Sequence, residues 1–350
     1  MTSSRATPLQ RSSDTMATKK QPTPSASKKG AGKTNKTKDT LVKVVVLEDV
    51  GTWVKPASGE KFYISSAAEM PQIDFEIETD AAGPVQWTWN ISWDAKVSGL
   101  KEKSRGKSIE KFSDTGSAKT DGATWRANLN NRTLGGLLTV EAKVGNQTFK
   151  RSIHILGKNP TASDVSSFLL TIPDTVGFDK LLEQETGTKH FINLDGEPIV
   201  AFDKGFGITQ MTNPAPSFEQ AWSWKENLKA GSRLYAQKQK AAKSMFASHP
   251  TPAATDEMIC NETYSRWNGG GYYQWNATNK SWERKSNILC DPATGNIGWD
   301  TNNEKNQNQS VGDLHKRDLP TYSKGKSGQD KDHTWIYSGV CYADHVNGNQ

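Results

Sequence analysis

Glu185 stands in "DTVGFDKLLEQETG", where Phe178, Leu181, Leu182 and Glu185 recur at helical spacing. Its carboxylate therefore falls near the apolar face of a helix, close to an end that Gly187 is suited to terminate. A carboxyl partly withdrawn from water has a raised pKa, and one that stays protonated is a proton donor. The same pattern fits a boundary or surface carboxylate, with Glu183 equally available. About 20 residues on, "DKGFGITQM" gathers Asp203, Gly205, Gly207 and Gln210 in one stretch. It reads either as a loop shaping a substrate site or as a turn opening a helix. Asp203 fits an acid at such a site, and equally a turn or cap residue. Further on, "ETYSRWNGGGYYQW" clusters Tyr264, Trp267, Asn268, Tyr272, Tyr273 and Trp275, and "IYSGVCYADHV" carries Tyr342. Those aromatics fit a ligand-stacking surface or glue between core and loops.

The elements that must position these groups change character along the chain. Residues 1–40 hold nine Lys/Arg against Asp14 and Asp39 and have little to bury, which predicts a disordered basic tail. That segment carries +7 of the formal net charge of +6, leaving −1 for the remainder. The basic pI thus describes a tail, and nucleic acid is not an expected partner. Residues 41–157 alternate apolar and polar positions in short runs split by turn residues. "QIDFEIET", "VQWTWNISW", "GLLTVEAKVG" and "TFKRSIHIL" read as strands of an immunoglobulin-like β-sandwich with Trp87 and Trp89 in its core. This domain is assigned to attachment or partner binding. "GKNPTASD" reads as a linker or capping segment. Residues 160–350 read as mainly helical, with one long helix over 218–246 whose face carries Trp224, Leu228, Gly231, Tyr235, Ala242 and Phe246. Residues 261–331 read as loop-rich, with many Asn, Gly and Lys.

Several chemistries find no support in the pattern. "GAGKTNKT" lacks a full phosphate-binding loop, and no cofactor is implied. His190 and His333 have no metal-ligand spacing around them, and no C-x-x-C occurs, so no metal site is expected. Cys260, Cys290 and Cys341 allow one disulfide with one thiol left over. No apolar run reaches membrane-span length. The first twenty residues lack the apolar core of a secretory signal, so synthesis in the cytoplasm without a standard signal peptide is expected.

Taken together, "EQETG", "GITQM", "RWNGG" and "YADHV" resemble the lysozyme-like superfamily, in particular soluble lytic transglycosylases and goose-type lysozymes, over about residues 165–346. Glu185 matches the glutamate of the Glu-Ser-Gly motif, with Thr186 in the Ser place. Gly207 to Met211 matches the Gly-Leu-Met-Gln segment, with Thr209 in the Met place. Trp267 takes the aromatic place and Asn268 the asparagine place of the Tyr-Asn-Gly segment. Tyr342 and Val346 match the closing Tyr-x-x-x-Val. The stretch between Asn268 and Tyr342 is long for the family.

The resemblance implies a mainly α lysozyme-like domain, which would follow the sandwich read from the strand pattern. It further implies cleavage of the β-1,4 bond between N-acetylmuramic acid and N-acetylglucosamine in peptidoglycan. Glu185 would protonate the glycosidic oxygen, then accept the proton of the muramic 6-hydroxyl to leave a 1,6-anhydro end. In the hydrolytic variant water attacks, and inversion needs a second carboxylate roughly 6.5–9.5 Å away. Asp203 and Asp195 are the candidates, with Glu262 further off. Gln210 and Asn268 would hydrogen-bond an N-acetyl group or orient Glu185, and Tyr264, Trp267 and Tyr342 are assigned to substrate binding. The alternative is a non-catalytic glycan-binding or structural envelope-contacting protein. A missing signal beside a wall-directed activity suggests a secreted antibacterial effector or a phage-borne lysin acting in the periplasm or cell wall. The N-terminal region would then engage a secretion apparatus, phage particle or chaperone. A Cys260–Cys290 disulfide would suit that destination.

Overall fold

Eight strands come first: β1 (Trp53–Lys55), β2 (Lys61–Ile64), β3 (Asp74–Ile77), β4 (Val85–Lys96), β5 (Ser108–Thr120), β6 (Thr124–Arg126), β7 (Gly136–Val144) and β8 (Gln147–Gly157). They are seen in a computed structural model that describes residues 49–98, 108–192 and 196–348. The basic tail and Asp195 lie outside the described residues. One sheet runs β2-β8-β7-β4-β5 and the other β1-β3-β6. Strict alternation along β4 sends Val85, Trp87, Trp89, Ile91, Trp93 and Ala95 to the same buried face. Trp87 stacks on Trp125 of β6 at 5.9 Å, so the two sheets share this core. The core positions expected for Trp87 and Trp89 are the ones found.

Seven helices and five more strands follow. They are α1 (Ala162–Leu169), α2 (Phe178–Thr186), α3 (Phe218–Trp222), α4 (Trp224–Phe246), α5 (Asp256–Trp267), β9 (Tyr273–Asn276), β10 (Ser281–Arg284), β11 (Ile288–Cys290), β12 (Ile297–Asp300), α6 (Val311–Tyr322), β13 (Trp335–Tyr337) and α7 (Gly339–Val346). "GKNPTASD" does contain a cap: Thr161 and Asp164 form a capping box that starts α1.

The expected architecture, a sandwich followed by a mainly α lysozyme-like domain, is not the one observed. The described residues hold thirteen strands and seven α-helices, and the second half is mixed. The stretch read as loop-rich folds into a β9–β10 hairpin and a three-stranded sheet ordered β11-β12-β13. These strands have only three or four residues, too few for a two-residue period to stand out among Asn, Gly and Lys. The long helix also breaks. Ser223 leaves helical geometry at φ −104°, ψ 110° and caps α4 by accepting from the Glu226 amide. Serine competes for the backbone in this way, which the apolar stripe across the break conceals.

The sandwich core does not stop at β8. Phe191, Val200, Phe206, Phe218, Ala221 and Trp222 are buried within it. Trp222 packs on Trp93 at 5.3 Å and lies so close over Gly135 that a Cβ there would come within 2.0 Å of its ring. The Trp93 indole also donates to Glu197, and the Ser98 amide donates to Val200. The sandwich is therefore the support for the segment that follows α2.

Candidate functional site

The helix that carries Glu185 forms as its spacing predicts. Phe178, Leu181 and Leu182 of α2 are fully buried, and Glu185 follows on that side in the last turn. Gly187 ends the helix in the left-handed conformation at φ 59°, its amide donating to Glu183. Helix carbonyls point toward this end, a setting unfavourable to a carboxylate. Thr186 is buried and its hydroxyl donates to the Ile208 carbonyl at 3.1 Å, tying the end of α2 to the glycine segment.

That segment is a hairpin followed by a single 3-10 turn, Gly207–Thr209. It answers the open question of its sequence: "DKGFGITQM" lines a cleft and opens no α-helix. Gly207 has φ +65°, and a Cβ there would lie 2.3 Å from the His190 ring. Two buried polar side chains hold the turn. His190 donates from Nε2 to the Ala221 carbonyl at 2.9 Å and accepts the Ile208 amide at Nδ1. Burial lowers its pKa to about 3, so the ring is neutral and this tautomer persists at ordinary pH. Asn227 of α4 accepts the Thr209 amide and hydroxyl, and donates to Phe206 and Gln220 carbonyls. Phe206 anchors the base of the segment in the sandwich, 6.1 Å from Trp93 and 5.8 Å from Phe112. We expect Gly207→Ala to destabilise the protein by about 1–3 kcal/mol, read from denaturant unfolding, because strain and the His190 contact both oppose it.

Between the end of α2, this segment and the ends of α5 and α7 lies a cleft of about 310 Å³. Glu185, Asp203, Gln210, Trp267, Asn268 and Tyr342 all line it. Six of the seven expected site residues, spread from 185 to 342, thus converge. Tyr342 of α7 donates its hydroxyl to Glu185 Oε1. Desolvation raises the Glu185 pKa; the Tyr342 and Trp267 hydrogen bonds oppose that shift, and the nearby Asp203 charge adds to it. Desolvation comes first among these causes, so the carboxyl holds its proton to higher pH than a solvated one. Tyr342 titrates well above its usual range, chiefly through burial. It therefore stays a donor and cannot itself serve as base at neutral pH. Removing that donor with Tyr342→Phe should raise the Glu185 pKa further. The alkaline limb of a reaction needing protonated Glu185 would move to higher pH, which a pH–rate profile reads directly.

The remaining groups differ in how far they are committed. Gln210 follows the 3-10 turn at φ 49°, ψ 36°, with its side-chain amide donating to the Gly207 carbonyl at 2.7 Å. Asn268 caps α5, and its Nδ2 is buried with no hydrogen-bond partner among the described residues. Such a donor is costly unless a ligand acceptor meets it. Asp203 is exposed and accepts the Gly205 amide at 3.2 Å, so it serves the turn while standing at the cleft.

Tyr264 is the expected binding residue that the cleft does not include. It is buried, with its hydroxyl donating to the Gly177 carbonyl at 2.9 Å, which locks α5 onto the start of α2. It lies three residues before Trp267 on α5, and its place in the core leaves it no free face for a ligand. Glu262 is likewise structural: its carboxylate accepts the Tyr272 and Tyr273 amides and pairs with Arg266. Of the neighbouring aromatics, Tyr272 donates to Asp344, Tyr273 packs on Phe246, and Trp275 stacks on His249 at 4.1 Å. They join the inserted strands to the helices.

Sequence reasoning passed over Phe202, Leu234 and Asn296, which also line the cleft. Asn296 belongs to the turn between β11 and β12, so the insertion supplies part of the wall. The disulfide is Cys290–Cys341, with Cα atoms 5.2 Å apart, and it joins β11 to α7 next to Tyr342. The expected Cys260–Cys290 pair is not formed. Cys260 on α5 is a free thiol facing the Val176 carbonyl. Spacing in sequence cannot choose among three cysteines on separate elements.

Among the described residues no group of His, Cys, Asp and Glu is arranged to hold a metal ion. No helix among them is long and apolar enough to cross a membrane. Comparison with protein-family models, with curated proteins and with solved structures finds no match.

Proposed function

We propose that this protein cleaves the β-1,4 bond between N-acetylmuramic acid and N-acetylglucosamine in peptidoglycan, with Glu185 as proton donor. The observation that carries this reading is the Glu185 carboxyl, raised in pKa by desolvation and held in a cleft by Tyr342 and Trp267. Protonated Glu185 gives its proton to the glycosidic oxygen as the bond opens toward an oxocarbenium-like state. The carboxylate so formed takes the proton of the attacking hydroxyl. The unpartnered Asn268 amide suits an acetamido carbonyl, and the motif resemblance around Glu185, Gln210, Asn268 and Tyr342 points to the same substrate class.

The attacking group is the muramic 6-hydroxyl. An intramolecular nucleophile is already positioned, so one buried carboxyl suffices. Asp203 stands exposed at the cleft and is the group that would activate water in a hydrolytic variant. The Cys290–Cys341 disulfide favours action in an oxidising compartment such as the periplasm.

The test is mass analysis of products from purified peptidoglycan. Fragments with 1,6-anhydro ends are expected. Reducing ends would instead assign the step to water, and glycan binding without any cleavage would refute the enzymatic reading in favour of a binding module.

A further inference from the structure

We propose that Phe202 is the stacking platform of the cleft, taking the flat C–H face of a pyranose ring of the bound glycan. The proposal rests on the glycan reading above. Three aromatic side chains line the cleft: Phe202, Trp267 and Tyr342. Two are already committed. Tyr342 is 7% exposed with its hydroxyl on Glu185, and Trp267 is half-buried with its ring 5.8 Å from Phe178. Phe202 is 81% exposed and has no ring partner among the described residues. It is therefore the lining aromatic whose face is free.

Its exposure is not that of a loose loop. Phe202 and Asp203 form the tip of a closed turn in which the Ala201 amide donates to Gly205 at 2.8 Å and the Lys204 amide donates to Ala201 at 3.1 Å. The Gly205 amide closes on Asp203. Val200 and Phe206 pair at the base of the turn, and Phe206 is rooted in the sandwich core. Lys204 reaches Glu110 of β5 at 3.9 Å. The fold thus holds a large apolar ring in water, on a braced turn, in the same cleft as the Glu185 carboxyl. A sugar ring is amphipathic: its hydroxyls lie around the edge and its C–H groups form an apolar face. That face covers an aromatic ring and removes both from water. Amide groups of Asn268 and Gln210 line the same cleft for the sugar's polar edge. A lone exposed phenylalanine is too small a patch to dock a protein partner, which needs a contiguous apolar area.

The experiment uses the full chain carrying Glu185→Gln, so that glycan is bound without turnover. Soluble glycan strands, freed of peptide, are titrated while intrinsic tryptophan fluorescence is followed. Phe202→Ala in that background is expected to weaken binding about tenfold. Phe202→Trp should bind as tightly or more tightly, and Phe202→Leu, apolar but not flat, should behave like alanine. Circular dichroism and the thermal midpoint should not move, since the ring is already in water. Binding by the parent that is indifferent to Phe202→Ala would overturn this proposal and leave the glycan reading standing. No binding by the parent would overturn both.

Discussion

Glu185→Gln is expected to abolish peptidoglycan cleavage, with a loss of at least about 10²–10⁴-fold, the usual contribution of a positioned proton donor. Glutamine keeps the size and accepts the Tyr342 hydrogen bond, yet has no proton to give. The same substitution should make the fold more stable at neutral pH. The folded carboxyl has a pKa above the ordinary 4.5, so the folded state binds this proton more tightly than the unfolded one. That favourable contribution is complete below the ordinary value and is lost as pH rises through the raised one. Above the raised value the wild type therefore holds a desolvated charge that the variant lacks. Thermal midpoints measured from pH 4 to pH 7 should favour the variant increasingly as pH rises. A variant that retains cleavage would remove Glu185 from the mechanism. A variant without cleavage and with a pH-independent gap would leave its catalytic role intact and discard desolvation as its cause.

Loss of the Cys290–Cys341 bond is expected to be the second large effect. The bond spans 51 residues, for which loop-closure entropy gives about 4 kcal/mol at 25 °C. Its placement links this stability to activity. Cys341 precedes Tyr342, the donor to Glu185, and Cys290 lies on the strand leading to Asn296 of the cleft wall. Asp344, two residues beyond Tyr342, pairs with Arg284 at 2.6 Å on the hairpin strand β10. The insertion is thus fixed to α7 on both sides of the tyrosine. In Cys290→Ser/Cys341→Ser, or under dithiothreitol, the thermal midpoint should fall and cleavage should fall with it. The alkaline limb of remaining activity should rise as Tyr342 loosens, following Tyr342→Phe. Free Cys260 gives no bond to reduce, so Cys260→Ser provides the control. Full activity with an unshifted pH profile in the double variant would show that α7 is held without the disulfide.

What was legible in the sequence depended on range. Glu185 was readable because Phe178, Leu181 and Leu182 report one helix face within a few residues, and the helix end was marked by Gly187. Trp87 and Trp89 were readable from the two-residue period of a long strand. Tyr264 misled because a cluster of aromatics fits a ligand surface and packing between elements equally well: Trp267 reaches the cleft, while Tyr264 turns into the core against Gly177. Phe202 gave no signal, since a lone aromatic between Ala and Asp has no period to break.

The sequence by itself determined the helix that presents an acid on its apolar side, the alternation that builds the sandwich core, and the order of the segments that meet at the cleft. Each rests on contacts between near neighbours. Tertiary structure alone decided that the second half is mixed, that Cys341 and not Cys260 bonds Cys290, and that Phe202 and Asn296 reach the site. It also decided that the sandwich braces the glycine segment through Phe206 and Trp222. Those outcomes depend on which distant surfaces pack together to remove apolar area from water, and no local period encodes that choice.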